Sequence, residues 1–461
     1  MSTHYHLIGI GGIGMSGIAR LLFCGRCNVT GSDAKQSKIT EELNALGIKV
    51  YIGHEASYVR GADYVVYSSA IKADNPEIEE ARKRRIPLLK RAEALAQLMA
   101  DKRVVTVTGS HGKTTTTSMI AYLMLEAGLF PTIAVGGILK NIDTNACPGK
   151  GDFFVAEADE SDGSFLFYRP RYSIITNIDY EHLDFYGNFE NELAAFREFI
   201  ERTEEEGCLI CGGDDKHLKK LVENSRRQHI FFGLNEKTGI HARNISITGL
   251  SSEFDCFLND TLIGHFRLSL GGAHNISNAL SVIALGMELK IDIGTIQKAL
   301  FNYQGSGRRL EVKFYEDNMR LIDDYAHHPT EIKATLEAVA HLNAKRKIVI
   351  FQPHRYSRTK LLLELFGRCF AAADYLIITD IYAASETPIE GISGKKVYET
   401  IKEFEPAKEA YFLKKEEIAR HVLKIARAGD VIVTLGAGDI SKVSDELVQG
   451  LRAKLQVPRT A

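Results

Sequence analysis

The sequence predicts an α/β protein of three domains. Apolar, β-branched runs alternate with helical patterns along the whole chain, the signature of parallel sheets with helical crossovers. A glycine-bounded loop joins one such run to a helix within Arg103–Met124. The length of 461 residues fits about three domains at ~150 residues each.

The first unit covers residues 1–100. HYHLIGI reads as a strand, and a helix follows from about Ile13. CNVTGSD, IKVYIG and ADYVVYSS are further strands; helices near 75–85 and 91–100 close the unit. Gly9-x-Gly11-x-x-Gly14 follows the first strand and opens the helix, and Asp33 ends the second strand. This is a dinucleotide fingerprint: its glycines let the backbone approach a diphosphate that the helix N-terminus stabilises. It serves a nicotinamide dinucleotide or another diphosphate nucleotide equally well, and a plain glycine turn gives the same pattern.

The second unit covers residues 101–310. The run Val104–Val107 leads into Gly109-Ser110-His111-Gly112, then Lys113, Thr114 and Thr115, then a helix. Backbone N–H groups of such a loop cradle phosphate oxygens, the lysine reaches the β/γ-phosphates, and a threonine hydroxyl can hold Mg²⁺. The position five before Gly112 is Val107, so this is the short T-G-x-x-G-K-T form, unlike that of small GTPases. Buried strands DFFVAEAD and YSIITNID follow, then a polar helix at about 189–205 and the strand GCLICGGDD. Residues 240–270 read as antiparallel strands with a turn at Asn259-Asp260, expected to form a small sheet of their own. Two strand ends carry metal-compatible groups: Glu157 in Ala156-Glu-Ala-Asp-Glu-Ser-Asp162, and His182 in Asn177–Asp184. Clustered carboxylates repel unless a cation joins them; a solvated acidic loop is the plainer alternative.

The third unit covers residues 311–461, after an apparent linker at Gly305–Arg309. KIVIFQPH, DYLIITDI and GDVIVTLGAG are parallel-type strands, each followed by helical sequence. Asp324-Tyr325-Ala-His327-His-Pro329 and Gln352-Pro-His354-Arg355-Tyr-Ser-Arg358 both follow strands. Two arginines and a histidine at a strand's C-terminal edge suit capture of a carboxylate or phosphate; a basic surface turn is the alternative.

Lys and Arg number 57 against 59 Asp and Glu, so nothing points to nucleic acid. No signal peptide or spanning segment is visible, which predicts a cytoplasmic protein without membrane insertion. Seven cysteines fit a reducing compartment. The pairs Cys24/Cys27 and Cys208/Cys211 lie far apart in sequence, each within its own elements, and read as structural rather than as a zinc site.

Taken in order, these motifs resemble the Mur ligase family over nearly the whole chain. The stretch Gly9–Ala19, the acidic stretch 157–162, Asp324–Pro329 and Gln352–Arg358 carry the likeness. The resemblance implies an N-terminal Rossmann-like UDP-binding domain, a central P-loop ATPase-like domain, and a C-terminal Rossmann-like lid. It implies ATP-dependent joining of L-alanine to the lactyl carboxylate of UDP-N-acetylmuramate through an acyl phosphate, in peptidoglycan biosynthesis. The family's runner-up activity attaches a preformed tripeptide to the same sugar nucleotide; the first-domain signature favours L-alanine. By similarity, Gly11, Gly12, Ile13, Gly14, Met15, Ser16, Asp33, Ser68, Ser69 and Asn75 face the UDP sugar. Gly109, Ser110, His111, Gly112, Lys113, Thr114 and Thr115 hold ATP phosphates, with Arg309 on the γ-phosphate, Asp324 on the ribose, and Asn275 and Asn278 on the adenine side. Thr114, Glu157 and His182 ligate Mg²⁺; Tyr325, His327, His354, Arg355 and Arg358 surround the amino acid. Lys113, His327, Arg355 and Arg358 are the implied catalytic set, with His327 the candidate base. The family pattern is followed with changes: Ser110 stands for a threonine, Tyr180-Glu181-His182-Leu183-Asp184 replaces A-D-H-M-D, and Arg197 occupies the position where sister ligases carry a carbamylated lysine. The alanine-adding members lack that lysine too. Both a monomer and a homodimer are compatible with the sequence.

Overall fold

The computed structural model describes residues 2–68 and 70–456. The chain forms two compact units. The first runs to Asn244 and adds Phe254–Arg267 and Ser277–Ser306; the second comprises Ile245–Glu253, Leu268–Ile276 and the chain from Gly307 onward. Three sheets carry the architecture.

The N-terminal sheet has five strands in the order Lys49–Ile52, Asn28–Asp33, His4–Ile8, Tyr64–Tyr67, Leu88–Lys90, all parallel. Strand order reverses on the two sides of His4–Ile8, and such a switch point opens a crevice beyond the strands' C-terminal ends. The glycine loop leaves one of these strands and Ser68 follows the other. Gly9 has φ +78°, and a Cβ there would stand 3.7 Å from the Ser68 Cβ. The helix Ile13–Cys24 begins at Gly12 with no side-chain cap and no acid in its first turn. Helix Pro76–Lys83 starts on Asn75, whose side chain accepts from the Glu77 N–H. Under the crevice lies a polar knot: the buried Glu77 carboxylate takes His6 Nε2 and His54 Nδ1, each at 2.6 Å, and the Ser32 hydroxyl at 2.7 Å. The Ser32 carbonyl in turn accepts the N–H groups of Gly9 and Ile10 at 2.8 and 3.0 Å. The glycine loop is thus fastened to a buried carboxylate through one strand residue.

The central sheet has ten strands: Thr261–Leu268, Ser251–Leu258, Ile240–Thr248, His229–Gly233, Cys208–Gly212, Tyr172–Ile175, Arg103–Thr108, Phe153–Glu157, Thr132–Leu139, Thr144–Cys147. The three strands after residue 240 are joined by two-residue turns, which only antiparallel neighbours accept. They do not form the separate small sheet expected from the sequence. Ile240–Thr248 pairs in parallel with His229–Gly233 and so continues one mixed sheet. Helix Phe189–Arg202, capped by Asn188, buries Phe196 and Phe199 against Phe165, with ring centroids 5.4 and 4.9 Å apart. Cys208 and Cys211 are buried and free, and Cys24 and Cys27 are free as well.

The third sheet orders Glu311–Glu316, Met319–Asp324, Asp430–Leu435, Arg346–Phe351, Tyr375–Ile378, Ala410–Phe412. It opens with an antiparallel hairpin that the sequence reading did not anticipate. Its turn residues Asp317 and Asn318 have φ +50° and +57°, the left-handed pair a tight hairpin turn requires. The remaining strands are parallel. The expected linker is ordered at both ends: the Ser306 hydroxyl donates to Ser118 at 2.7 Å, and Arg308 pairs with Asp323 at 2.9 Å. Among the described residues no helix is long and apolar enough to cross a membrane.

Gly31 shows how tightly the first strands are built. A Cβ there would lie 2.5 Å from Ile10 Cδ1 and 2.6 Å from the Leu7 carbonyl oxygen. Gly31→Ala is expected to cost about 1–3 kcal/mol by overpacking. A urea denaturation midpoint unchanged from wild type would contradict this.

Candidate active site

The phosphate loop is shaped by the neighbouring strand end. Gly109 has φ +119°, and a Cβ on it would sit 2.4 Å from Thr176 Oγ1. Ser110 N–H donates to the Asn177 carbonyl at 3.0 Å, His111 N–H to Asn177 Oδ1 at 2.9 Å, and Thr176 Oγ1 to the His111 carbonyl at 2.6 Å. The Ser110 hydroxyl accepts from Asp179 N–H at 2.7 Å, and His111 Nε2 lies 2.9 Å from Asp179. Gly112, at φ +86°, leaves no room for a Cβ beside Asn278 Oδ1, 2.5 Å away. Thr115 is buried in the first turn of helix Lys113–Glu126.

Lys113 Nζ lies on the loop, donating to the carbonyls of Gly109 at 2.7 Å and Ser110 at 3.2 Å and to Glu160 Oε1 at 2.6 Å. Burial works against its charge, but Glu160 and Asp159 outweigh it and hold the pKa above the ordinary lysine value. Next along the helix, Thr114 Oγ1 donates to Glu157 at 2.9 Å, and Gly136 N–H joins the same carboxylate at 3.0 Å. A threonine hydroxyl beside a carboxylate is a hard-oxygen donor pair that fits Mg²⁺. His182 stands apart from that pair in its contacts: its Nε2 lies 3.2 Å from Glu160. Its backbone is left-handed, φ +56°, a strained setting for a non-glycine residue.

Glu160 is thus the acid that meets both the loop lysine and the candidate metal histidine. The sequence presents four carboxylates in six residues, Glu157 to Asp162, and nothing in that spacing ranks them. Glu192 is a second residue that sequence reasoning passed over. It is fully buried, and among the described residues neither carboxylate oxygen has a hydrogen-bond partner. Burial, then the charges of Glu160 and Glu181, push its pKa up to about 8.

In the crevice of the first sheet, Gly11 N–H donates to Asp33 Oδ2 at 2.9 Å. Ser16 Oγ donates to the Ile13 carbonyl at 2.9 Å, and Met15 is buried, so these two offer the crevice mainly backbone. Asn75 caps its own helix. Ser69 lies outside the described residues.

In the second unit, buried Asp324 accepts the N–H groups of Leu310 at 2.6 Å and Ala326 at 2.8 Å. Burial raises its pKa to about 6 against the pull of Arg309. The guanidinium of Arg309 lies 4.9 Å from the Tyr325 ring centre. His327 Nδ1 donates to the Tyr325 carbonyl at 3.0 Å, which leaves Nε2 as the acceptor. Rings then follow in file: Tyr325 to His327 at 5.5 Å, His327 to His354 at 5.6 Å, His354 to Tyr382 at 5.6 Å. Arg358 Nη1 lies 3.3 Å from His354 Nδ1. Burial, then the Arg358 charge, holds His327 well below the usual imidazole range and His354 at about 3. Arg355 has φ +65° and ψ 142°, a region that is almost glycine's alone, and its N–H donates to the Tyr382 carbonyl at 2.9 Å. Asn275 Nδ2 donates to the Gly271 carbonyl at 2.8 Å.

The family models for the Mur ligase family catalytic domain, the Mur ligase middle domain and the Mur ligase glutamate ligase domain match residues 4–103, 107–286 and 308–438 in turn. A protein of Geotalea uraniireducens (strain Rf4) named UDP-N-acetylmuramate--L-alanine ligase is 44% identical over 450 residues, 98% of each chain. The chain belongs to the Mur ligase family. A second ligase of that name, from Sorangium cellulosum (strain So ce56), is 43% identical over 98% of this chain and 96% of its own. The crystal structure of UDP-N-acetylmuramate-alanine ligase MurC from Thermotoga maritima superposes with a TM-score of 0.85 at 30% identity, covering 98% of this Mur ligase and 99% of that chain.

Glu192 yields a prediction with a definite sign. Its folded-state pKa of about 8 lies above the ordinary 4.5, so the folded chain keeps a proton that the unfolded chain releases between these values. Stability contributed at this position therefore falls as pH rises from 5 towards 8. Glu192→Gln is expected to be more stable than wild type at pH 8, by on the order of 2–4 kcal/mol. At pH 5 the gap should nearly close. Denaturant titrations at the two pH values decide it; a gap that is equal at both would contradict the assignment.

Proposed function

We propose that this Mur ligase joins the amine of L-alanine to the lactyl carboxylate of UDP-N-acetylmuramate, with ATP cleaved to ADP and phosphate. The observation that carries the reading is the end-to-end likeness to ligases of that name, in a chain whose Lys113 and Thr114 stand at a helix N-terminus beside paired acids. We place the reaction in the cytoplasm.

A carboxylate is a poor acyl donor, so it must first acquire a leaving group. Its attack on the γ-phosphorus gives an acyl phosphate and ADP. Two anions have to meet. Lys113, turning from Glu160 to the β/γ-phosphates, neutralises part of that charge, and the loop N–H groups hold the rest of the phosphate chain. Thr114, Glu157 and His182 would hold Mg²⁺, which would supply further charge neutralisation at the transferring phosphoryl group. Arg309 would lie against the γ-phosphate and Asp324 against the ribose, with Asn275 and Asn278 on the adenine side. Gly11 to Ser16, Asp33, Ser68 and Asn75 line the UDP end.

The amine of L-alanine then attacks the acyl carbon, and phosphate departs from the tetrahedral intermediate. Arg355 and Arg358 would anchor the alanine carboxylate, with Tyr325 and His354 as walls. His327 presents a neutral Nε2 to the amine, because its pKa is held well below neutrality. It serves as hydrogen-bond acceptor for an N–H on the attacking nitrogen.

Phosphate release in the presence of ATP, Mg²⁺ and UDP-N-acetylmuramate is expected to require L-alanine, with a product heavier by one alanyl residue on mass analysis. Turnover with a preformed tripeptide instead of alanine would replace this reading with the tripeptide-adding one. Lys113→Met is expected to lower kcat by about 10²–10³-fold. Arg358→Lys should raise the KM for L-alanine about tenfold while that for ATP stays in place.

A further inference from the structure

Within the first unit a cavity of about 180 Å³ separates the start of helix Ile13–Cys24 from the end of strand Phe153–Glu157. Ile13, Gly14, Arg91, Asn145, Glu157 and Asp159 line it. Arg91 is the first residue of helix Arg91–Met99. Its guanidinium makes one hydrogen bond among the described residues, to Asp159 at a long 3.4 Å. A guanidinium carries five N–H donors, so most of this group's capacity is unspent. It lies on the first turn of the facing helix: a Cβ added to Gly14 would be 2.8 Å from Arg91 Nη1.

That helix end is itself a donor site. Ser16 N–H makes the first intrahelical bond, to the Gly12 carbonyl at 2.8 Å, so the N–H groups of Ile13, Gly14 and Met15 have no helical acceptor. The Asn145 side chain donates to the Ile13 carbonyl at 2.6 Å and fixes the turn from the other side. One end of the cavity thus gathers backbone donors and a guanidinium, and the other ends on Glu157 beside Thr114. An anion fits the first end and a cation the second.

We infer that Arg91 clamps the diphosphate of the nucleotide sugar against the first turn of helix Ile13–Cys24, giving up Asp159 as it does so. The inference rests on UDP-N-acetylmuramate being the substrate. The clamp orients that substrate along the cavity, diphosphate at the arginine and lactyl carboxylate towards Thr114 and Glu157. It also explains the glycine at position 14, where any side chain would push the guanidinium away.

Binding of uridine, UDP and UDP-N-acetylmuramate to the full-length protein, with Arg91→Met and Arg91→Lys beside wild type, tests the clamp. Arg91→Met should weaken UDP about 10- to 100-fold, the loss of a charge-assisted bidentate contact, and leave uridine unchanged. Arg91→Lys should fall between, since an ammonium makes a single-point contact. In turnover, the KM for the sugar nucleotide should rise while kcat and the KM for ATP hold. Unchanged UDP affinity in Arg91→Met, with a loss confined to UDP-N-acetylmuramate, would assign the arginine to the lactyl carboxylate and overturn the clamp. An equal loss for uridine and UDP would make Arg91 a structural residue and overturn it too. A wild-type protein that binds no UDP at all would remove the substrate reading itself, a result separate from any effect of the variants.

Discussion

At 2.6 Å a fully buried carboxylate, Glu160, meets the phosphate-loop lysine, and most of the central geometry depends on that pair. Neither charge could be buried alone; each makes the other tolerable. Glu160 also takes the Thr108 hydroxyl at 3.3 Å and lies 3.2 Å from His182, while its carbonyl accepts the Tyr186 hydroxyl at 2.5 Å. The end of the loop strand, the acidic turn and the histidine segment therefore converge on one side chain. The pair keeps the Lys113 ammonium on its own loop carbonyls, with its charge fixed at the start of helix Lys113–Glu126.

Neighbouring carboxylates in this region are separated by their partners rather than by their type. Glu157 is held by Thr114 and Gly136, and Glu160 by Lys113. Asp159 lies within reach of both cations: burial pushes its pKa up, but Lys113 and Arg91 bring it down to about 2. Glu192 has the opposite surroundings and the opposite shift. Asp159 and Glu160, held ionised beside cations, and Glu192, which resists ionisation, thus differ by surroundings alone.

The sequence made the strand, loop and helix around Lys113 plain because all three are contiguous and each needs a particular residue type. The five parallel strands of the first sheet were equally open to reading, apart from Leu88–Lys90, too short to show a period. Ala410–Phe412 was missed for the same reason. The hairpin Glu311–Asp324 escaped notice because a bulge between Val312 and Phe314 breaks its alternation. The merging of the antiparallel strands into the main sheet is a matter of which edge they pair with, and alternation within a strand carries no information on that. Glu160 and Arg91 illustrate the same boundary at the site: they lie 47 and 68 residues from Lys113 and Asp159, and only folding makes them partners.

Arg355 sits in a backbone conformation that glycine would adopt without strain. A change to glycine there would relieve on the order of 1–3 kcal/mol and remove the guanidinium. A library screened for heat resistance alone would drift towards that change and discard a side chain poised at the strand edge. For this chain, durability and the role proposed for Arg355 compete at a single codon, and any stabilised version has to be selected with both in view.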